Sequence, residues 1–333
     1  MQSNSFSVDS PQNWLVQMAE IFETKVVDNQ INIPEHLGHG SIQMHCFSAE
    51  LNLSVQQIYL DKPLRISRKA APRKDILPIV FHYSKAGVDH IHLAAEEKKT
   101  LGRFSPQGIM IPAHEQDSIV EFPSNEEIIT IAVVVSRRWI IEYMQNIPGK
   151  EAENLVSLFA CQKQFCIYET LNQAMEKAIE EIIQCDYAEP VTGLFLQAKT
   201  IELLALFFDK LAQRETTDGF YNLNQTDVAS LFAVKKILMD NLENPPTILW
   251  LSREVGMSES KLKKTFKQVF GHSIYQYALY NRMEKAKELL ESRQYNVSEV
   301  GGLVGYSNLA HFARAFKKQY SVAPKQYLQK FRR

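Results

Sequence analysis

The feature that most constrains this chain is a degenerate repeat in its last third. The first copy reads Leu251-x-x-x-Val255-Gly256, then Leu262-x-x-x-Phe266-Lys267, Phe270 and Tyr277. The second reads Val300-x-x-x-Val304-Gly305, then Phe312-x-x-x-Phe316-Lys317, Tyr320 and Tyr327. The opening segment recurs at an offset of 49 and everything after it at 50, so one residue has been gained in the turn. Each copy describes a short helix, a turn carrying glycine, and a second helix with apolar residues on one side. Ser258 and Asn308 stand at the start of the second helices, where a small polar cap is favoured, and Pro245-Pro246 limits the helix before the first copy. Two helix-turn-helix units in tandem are expected.

Between the copies, Leu279, Met283, Ala286 and Leu290 step by four, three and four, which predicts a helix over 274–291. At 1.5 Å per residue it spans roughly 27 Å, close to the roughly 34 Å between successive major-groove faces of B-DNA. Such a strut would hold two reading helices over consecutive grooves. On the first reading helix, Leu262, Phe266 and Val269 take the core side. Ser260, Lys261, Lys263, Lys264 and Lys267 then face outward, with Ser260 and Lys264 sharing one face and Lys261 and Lys267 flanking it. No acidic partners are expected to accompany these lysines, which separates them from an ordinary solvated charge run. On the second, Phe312 and Phe316 are core, while Leu309, Ala310, His311, Arg314 and Lys317 remain for contact. Arg314 has the chemistry for a bidentate bond to guanine, and Ala310 and Leu309 for a thymine methyl.

Charge is divided along the chain in the same sense. Residues 227–333 hold 18 basic and 9 acidic side chains, a net +9, whereas residues 1–226 hold 19 and 29, a net −10. The overall −1 therefore conceals a basic segment suited to a polyanion.

The stretches LSREVGMSESKLKKTFKQVFGHS, NRMEKAKELL and VSEVGGLVGYSNLAHFARAFKKQYSVAPKQY carry a family resemblance. The segment 227–333 resembles the DNA-binding domain of the AraC/XylS family of bacterial transcription regulators. Departures are Ser252 and Gly301, where the family usually has alanine, and Ser321, where it usually has glycine. Gly301-Gly302 is expected to soften its helix by roughly 1 kcal/mol per glycine relative to alanine. NPPTILWLSREVGMSESKLKKTFKQVFG and AKTIELLALFF are similar to a branch that includes regulators of siderophore uptake, typified by the pyochelin regulators. That resemblance implies an N-terminal sensory β-barrel and a helical dimerisation face near Leu194 to Leu211.

The N-terminal pattern agrees with a β-rich body. Ile42, Met44 and Cys46 alternate with polar residues, as do Ile79, Phe81 and Tyr83, and Ile129 to Val135 is rich in β-branched residues. Turn signals at Asp61-Lys62-Pro63, Ala86-Gly87, Ser105 to Gly108 and Pro123 to Asn125 separate them, which argues for a barrel or sandwich. From Arg137 the period becomes helical, and Leu194, Ala198, Ile201, Ala205 and Phe208 are expected on one face of a long helix. Glu215 to Thr226 is polar and reads as a linker. The expected class is α+β: a cupin-like β-barrel with a helical dimerisation hairpin over 1–214, a linker over 215–226, and an all-α domain with two helix-turn-helix units over 227–333.

Enzymatic readings have little support. His90-x-His92, Glu96 and His114 invite a metal cupin, but His90 follows the Ala86-Gly87 turn and no histidine lies in 66–76. His90 and His92 are expected as surface strand residues, and His36 and His39 as loop residues. The cysteines at 46, 161, 166 and 185 form no C-x-x-C pair. No nucleophile elbow, phosphate loop or paired-acid motif appears. No catalytic residue, cofactor or metal is assigned, and a cupin-type metal enzyme fused to a DNA-binding module stands as the competing reading, beside a nonspecific nucleoid-type binder. Met44, Phe81, Tyr83 and Ile131 either enclose a ligand or fill the core. Arg65, Arg68, Lys69, Arg73 and Lys74 either meet an anion or form a solvated loop.

The longest uncharged apolar run, Ile128 to Val135, suits a strand rather than a membrane span, and no signal segment is visible. The expectation is a cytoplasmic, dimeric regulator that activates a catabolic or an iron/siderophore-uptake operon. Its expected partners are promoter DNA, RNA polymerase and a small-molecule effector, a ferric siderophore among the candidates.

Overall fold

The computed structural model describes residues 4–70, 75–93, 97–113, 116–160, 166–189, 191–212 and 225–330. The chain divides into two compact units, Met1–Leu223 and Asn224–Arg333.

The first unit is built on two sheets. One has the order β1 (Ser5–Phe6), β5 (Leu64–Arg68), β10 (Ser118–Phe122), β7 (Val88–His92) and β8 (Glu97–Leu101). The other runs β12 (Ile167–Glu169), β9 (Ile109–Ile111), β6 (Ile76–His82), β11 (Glu127–Ser136), β4 (Leu51–Leu60), β3 (Gly38–Cys46) and β2 (Gln30–Asn32). The expected closed barrel is corrected here, because the described strands keep two separate sheets with four edges. Alternation reveals which side of a strand is apolar, but closure depends on pairing between strands distant in sequence.

Register decides what each face does. Across β6, β11 and β4, Ile131 opposes Phe81 and Val55, while the next row places Thr130 opposite His82 and Gln56. Phe81, Ile131, Val133 and Leu53 join a core with helices α3 (Lys150–Ala160), α4 (Gln173–Ile183) and α5 (Val191–Ala212). The His82 row points the other way, into a cavity of about 100 Å³. Phe81, Tyr83 and Ile131 therefore fill core, and of the expected inward residues only Met44 lines the cavity. Helix α1 (Pro11–Ile21) adds Trp14 and Met18 to its wall. Ser10 caps that helix by accepting from Asn13 N, and Pro11 occupies the first turn, where its missing N–H costs nothing. Helix α2 (Arg137–Met144) follows β11 directly, capped by Ser136.

On helix α5 four of the five expected residues share one face, the outer one, and Phe208 alone turns to the core. Leu196, Thr200, Leu203, Leu204, Phe207 and Leu211 are buried, as is Phe208. Leu194 and Ile201 remain 71% and 45% exposed, with Ala198 between them and Ala205 one turn further on, both on the outer side. By length and mean hydropathy α5 qualifies as a membrane span. Its inner face is nevertheless part of the core, and Lys199 pairs with Glu181 of α4 and with Glu202. Lys210, also buried, pairs with Glu169 at 3.3 Å, which ties α5 to β12.

The second unit is helical: α6 (Gln225–Asp240), α7 (Ile248–Glu254), α8 (Glu259–Phe270), α9 (Ile274–Glu291), α10 (Val297–Leu303), α11 (Leu309–Tyr320) and α12 (Pro324–Lys330). Helix α9 occupies the predicted range and serves both halves. Its Tyr277 packs edge-on to Phe266 at 5.6 Å, and its Met283, Ala286 and Leu290 form a core with Val300, Val304, Phe312 and Phe316. Its start is fixed by a capping box between Ser273 and Gln276.

Candidate nucleic-acid interface

Helices α7 and α8 are joined through Gly256 at φ +65°, and α10 and α11 through Gly305 at φ +81°. A left-handed residue at this turn swings the second helix away from the first, and glycine does so without a side-chain clash. The second helices start on their expected caps. Ser258 Oγ accepts from Lys261 N at 3.3 Å, and Asn308 Oδ1 accepts from Ala310 N at 2.9 Å and His311 N at 3.2 Å. These bonds occupy both cap oxygens and leave the helix N-termini open to solvent.

The burial pattern sorts the remaining side chains. Leu262, Phe266, Val269, Phe312 and Phe316 are buried. Ser258, Ser260, Lys261, Lys263, Lys264 and Lys267 are exposed on α8 and its cap, and Asn308, Leu309, Ala310, His311, Arg314 and Lys317 on α11 and its cap. Among these exposed groups, Arg314 folds back, its Nε donating to Ala310 O at 3.3 Å.

The expected absence of acidic partners is corrected. Lys261 Nζ lies 2.7 Å from Asp227 Oδ1 of α6, and Lys263 Nζ lies 3.4 Å from Glu259 Oε2. The second pair is the ordinary i,i+4 arrangement and was visible in the sequence. The first joins residues 34 positions apart and needed the fold. The exposed Lys263–Glu259 pair is worth at most about 1 kcal/mol, whereas Asp227 in the other pair is only 13% exposed. Lys264 and Lys267 have no acid partner among the described residues. Near the end of α8, burial and the Lys267 charge hold His272 below the usual histidine range.

Of the histidines singled out in the first unit, His36 lies in a turn as expected, His39 lies in β3 rather than a loop, and the 90/92 pair contradicts the surface expectation. His90 and His92 are buried and face the interior. His90 Nδ1 meets Tyr168 Oη at 2.9 Å and its Nε2 meets Ser118 Oγ at 2.9 Å, while His92 Nε2 meets the same Tyr168 oxygen at 2.5 Å. Burial, first of all, pushes His90 down to about 3, with His92, Arg68 and His82 adding to the shift. Among the described residues no group of three potential ligands comes together. Glu96, His114 and Cys161 lie outside the described residues.

A pair of helix-turn-helix units on one shared helix, each presenting a polar second helix, is the architecture of a tandem helix-turn-helix DNA-binding domain. Residues 251–330 match a helix-turn-helix domain family, and residues 38–223 match the family described as the regulatory protein PchR N-terminal domain. The chain belongs to the AraC/XylS family of transcription regulators, in the group that carries this PchR-type N-terminal domain; it is a regulator rather than an enzyme.

Individual relatives are more distant. The chain is similar to the regulatory protein PchR of Pseudomonas aeruginosa, 32% identical over 38% of this chain and 42% of that protein. It is 24% identical to the Msm operon regulatory protein of Streptococcus mutans over 54% of this chain and 64% of that protein. It thus spans less than two thirds of the length of these curated relatives. Among solved structures, a probable AraC family transcriptional regulator from Rhodopseudomonas palustris is 28% identical, covering 31% of this chain and 96% of that one with a TM-score of 0.29.

Proposed function

We propose that this protein is a cytoplasmic, dimeric, effector-responsive activator of genes for iron or siderophore uptake. Residues 1–214 sense the effector and dimerise, 215–226 link, and 227–333 bind promoter DNA; most of that linker lies outside the described residues. Lys264 and Arg314 read base edges, with Ser260, Leu309, Ala310 and His311 beside them. Lys261, Lys263, Lys267 and Lys317 hold phosphates, and Ser258 and Asn308 direct the helix N-termini toward the backbone. The outer face of α5, with Leu194, Ala198 and Ile201, meets a second copy and sets two modules on direct or inverted half-sites. RNA polymerase is the partner through which activation acts. The effector regulates by binding the DNA-competent arrangement more tightly than the incompetent one.

One observation carries this reading: the PchR-type N-terminal match over residues 38–223 accompanies the tandem helix-turn-helix domain. Genome-wide mapping of bound sites in iron-starved and iron-replete cells tests it. Sites beside iron or siderophore uptake genes, with transcription that falls when the protein is deleted, are expected. Sites confined to sugar-utilisation genes would overturn it in favour of the catabolic reading.

A further inference from the structure

The cavity between the two sheets of the first unit is almost wholly apolar, with Phe6, Val8, Trp14, Met18 and Met44 on its walls. Against that background five polar side chains on its lining are each over nine-tenths buried: Ser54, Gln56, Arg68, His82 and Thr130. Gln56 Nε2 donates to Ser54 Oγ at 3.5 Å, which leaves Arg68, His82 and Thr130 with unsatisfied atoms. Arg68 Nη1 donates to Gln116 O at 3.1 Å and Nη2 to Ala113 O at 2.8 Å, which fixes the guanidinium. Its Nε, both ring nitrogens of His82 and the Thr130 hydroxyl are buried without a hydrogen-bond partner. Native interiors rarely leave four such atoms together, because each gives up water for nothing in return.

Arg68 is also a buried cation with no carboxylate paired to it among the described residues. The nearby acid, Asp117, is engaged by Lys69 Nζ at 3.0 Å and by Ala70 N at 2.8 Å. Arg65, next in the same basic cluster, pairs with Glu121 at the surface. Arg73 and Lys74 lie outside the described residues. Of the described members of the cluster, Arg68 alone turns inward. Burial holds its pKa below the ordinary arginine value, with Cys166, Asp117 and Tyr168 opposing the shift.

We propose that this cavity binds a compact, predominantly apolar monocarboxylate, with Arg68 Nε as the charged donor and His82 and Thr130 as flanking polar partners. The acid supplies the missing counter-charge, and its apolar body occupies the wall formed by α1 and the facing strands. One negative charge matches one cation; His82 is neutral at pH 7 because burial pushes it down to about 4, so it offers one donor and one acceptor. A phosphate dianion would lack a second cation in an apolar enclosure. This inference rests on the reading of the first unit as the sensor and names the chemistry that it senses.

The test is calorimetric titration of the full-length chain, without DNA, using benzoate and octanoate and their neutral amides, benzamide and octanamide. At least one acid is expected to bind about tenfold or more tightly than its amide, the size of one charge-assisted hydrogen bond. Arg68→Met, checked for folding by circular dichroism, should bind that acid and its amide alike. Ala132→Phe fills the cavity from β11 and should abolish binding of both. Equal affinity of acids and amides for the wild type, binding of neither acid, or undiminished binding by Ala132→Phe would overturn the proposal. Because no DNA is present, each of these outcomes leaves the DNA-binding reading intact, and loss of promoter binding would leave the titration intact.

Discussion

The carbonyl oxygen of Glu243 occupies the place that a β-carbon on Gly305 would take, only 2.0 Å from it. Glu243 follows α6, which packs on the first helix-turn-helix, and Gly305 is the turn of the second. Arg282 of α9 closes the same junction by donating Nη2 to Glu243 O at 2.9 Å. The two helix-turn-helix units are therefore held together at the point where α9 passes between them, by the close Glu243–Gly305 backbone approach and the Arg282 hydrogen bond. Gly305→Ala meets both a left-handed φ and this contact, and should destabilise the second unit by about 2 kcal/mol or more. Urea unfolding measures the loss, and footprinting should show one protected groove in place of two. A full footprint at wild-type stability would mean that the units are not locked here.

Sequence discrimination should depend on one residue from each reading helix. Lys264→Ala and Arg314→Ala should each cost about 1–3 kcal/mol of preference between a bound site and random DNA. Lys267→Ala should weaken all sequences alike and reduce the salt slope of binding by about one. Competition titrations across a salt series separate the two effects. A wild-type preference that is itself flat would indicate a nonspecific nucleoid-type binder.

The ends of α10 and α11 hold removable strain. Ser321 caps α11 at φ +62°, where its counterpart Gly271 caps α8 at φ +80°. Ser321→Gly should stabilise the chain by about 1 kcal/mol. Gly302 faces open space, so Gly302→Ala should add about 0.5–1 kcal/mol. An alanine at Gly301 would sit 3.2 Å from Phe312 Cδ1 and should gain less. Denaturant midpoints rank the three variants.

If α5 pairs with its copy, Ile201→Glu should place an uncompensated charge in the interface. The dimer should then weaken by roughly a hundredfold or more. Far-ultraviolet circular dichroism should be unchanged, because Ile201 is exposed within its own unit. Sedimentation of the full-length chain reads the change; equal dissociation constants would move the interface elsewhere.

His82 predicts a pH dependence. Its pKa is about 4 in the folded chain against 6.5 when unfolded, so between these values the unfolded chain binds a proton that the folded one does not. The contribution is full above pH 6.5 and is lost as pH falls toward 4, on the order of 3 kcal/mol. His82→Phe should remove about one proton's share of the slope over that window and leave the share of His90, which burial holds lower still. The same slope in both proteins would show that His82 titrates normally.

The tandem helix-turn-helix units and the helix between them were legible in the sequence because their information is local. Heptad-like spacing fixes which sides of α8, α9 and α11 are apolar, and Ser258 and Asn308 mark starts by chemistry that acts over three residues. The Lys263–Glu259 pair was equally local. The sheets were legible as strands but not as an arrangement. A shift of one position decides whether Phe81 or His82 faces the helices, and strand pairing sets that register across residues far apart in the chain. Helix α5 shows the same limit from the other side. Its sequence is apolar around much of its circumference, so periodicity alone did not choose between Leu194 and Leu203 as the buried side. Packing against α4 and the sheet chose Leu203. Hydrophobic pattern thus determined the elements and the family motif, whereas the buried Arg68, the cavity and the locked Gly305 turn came from contacts between distant segments, which no short-range pattern encodes.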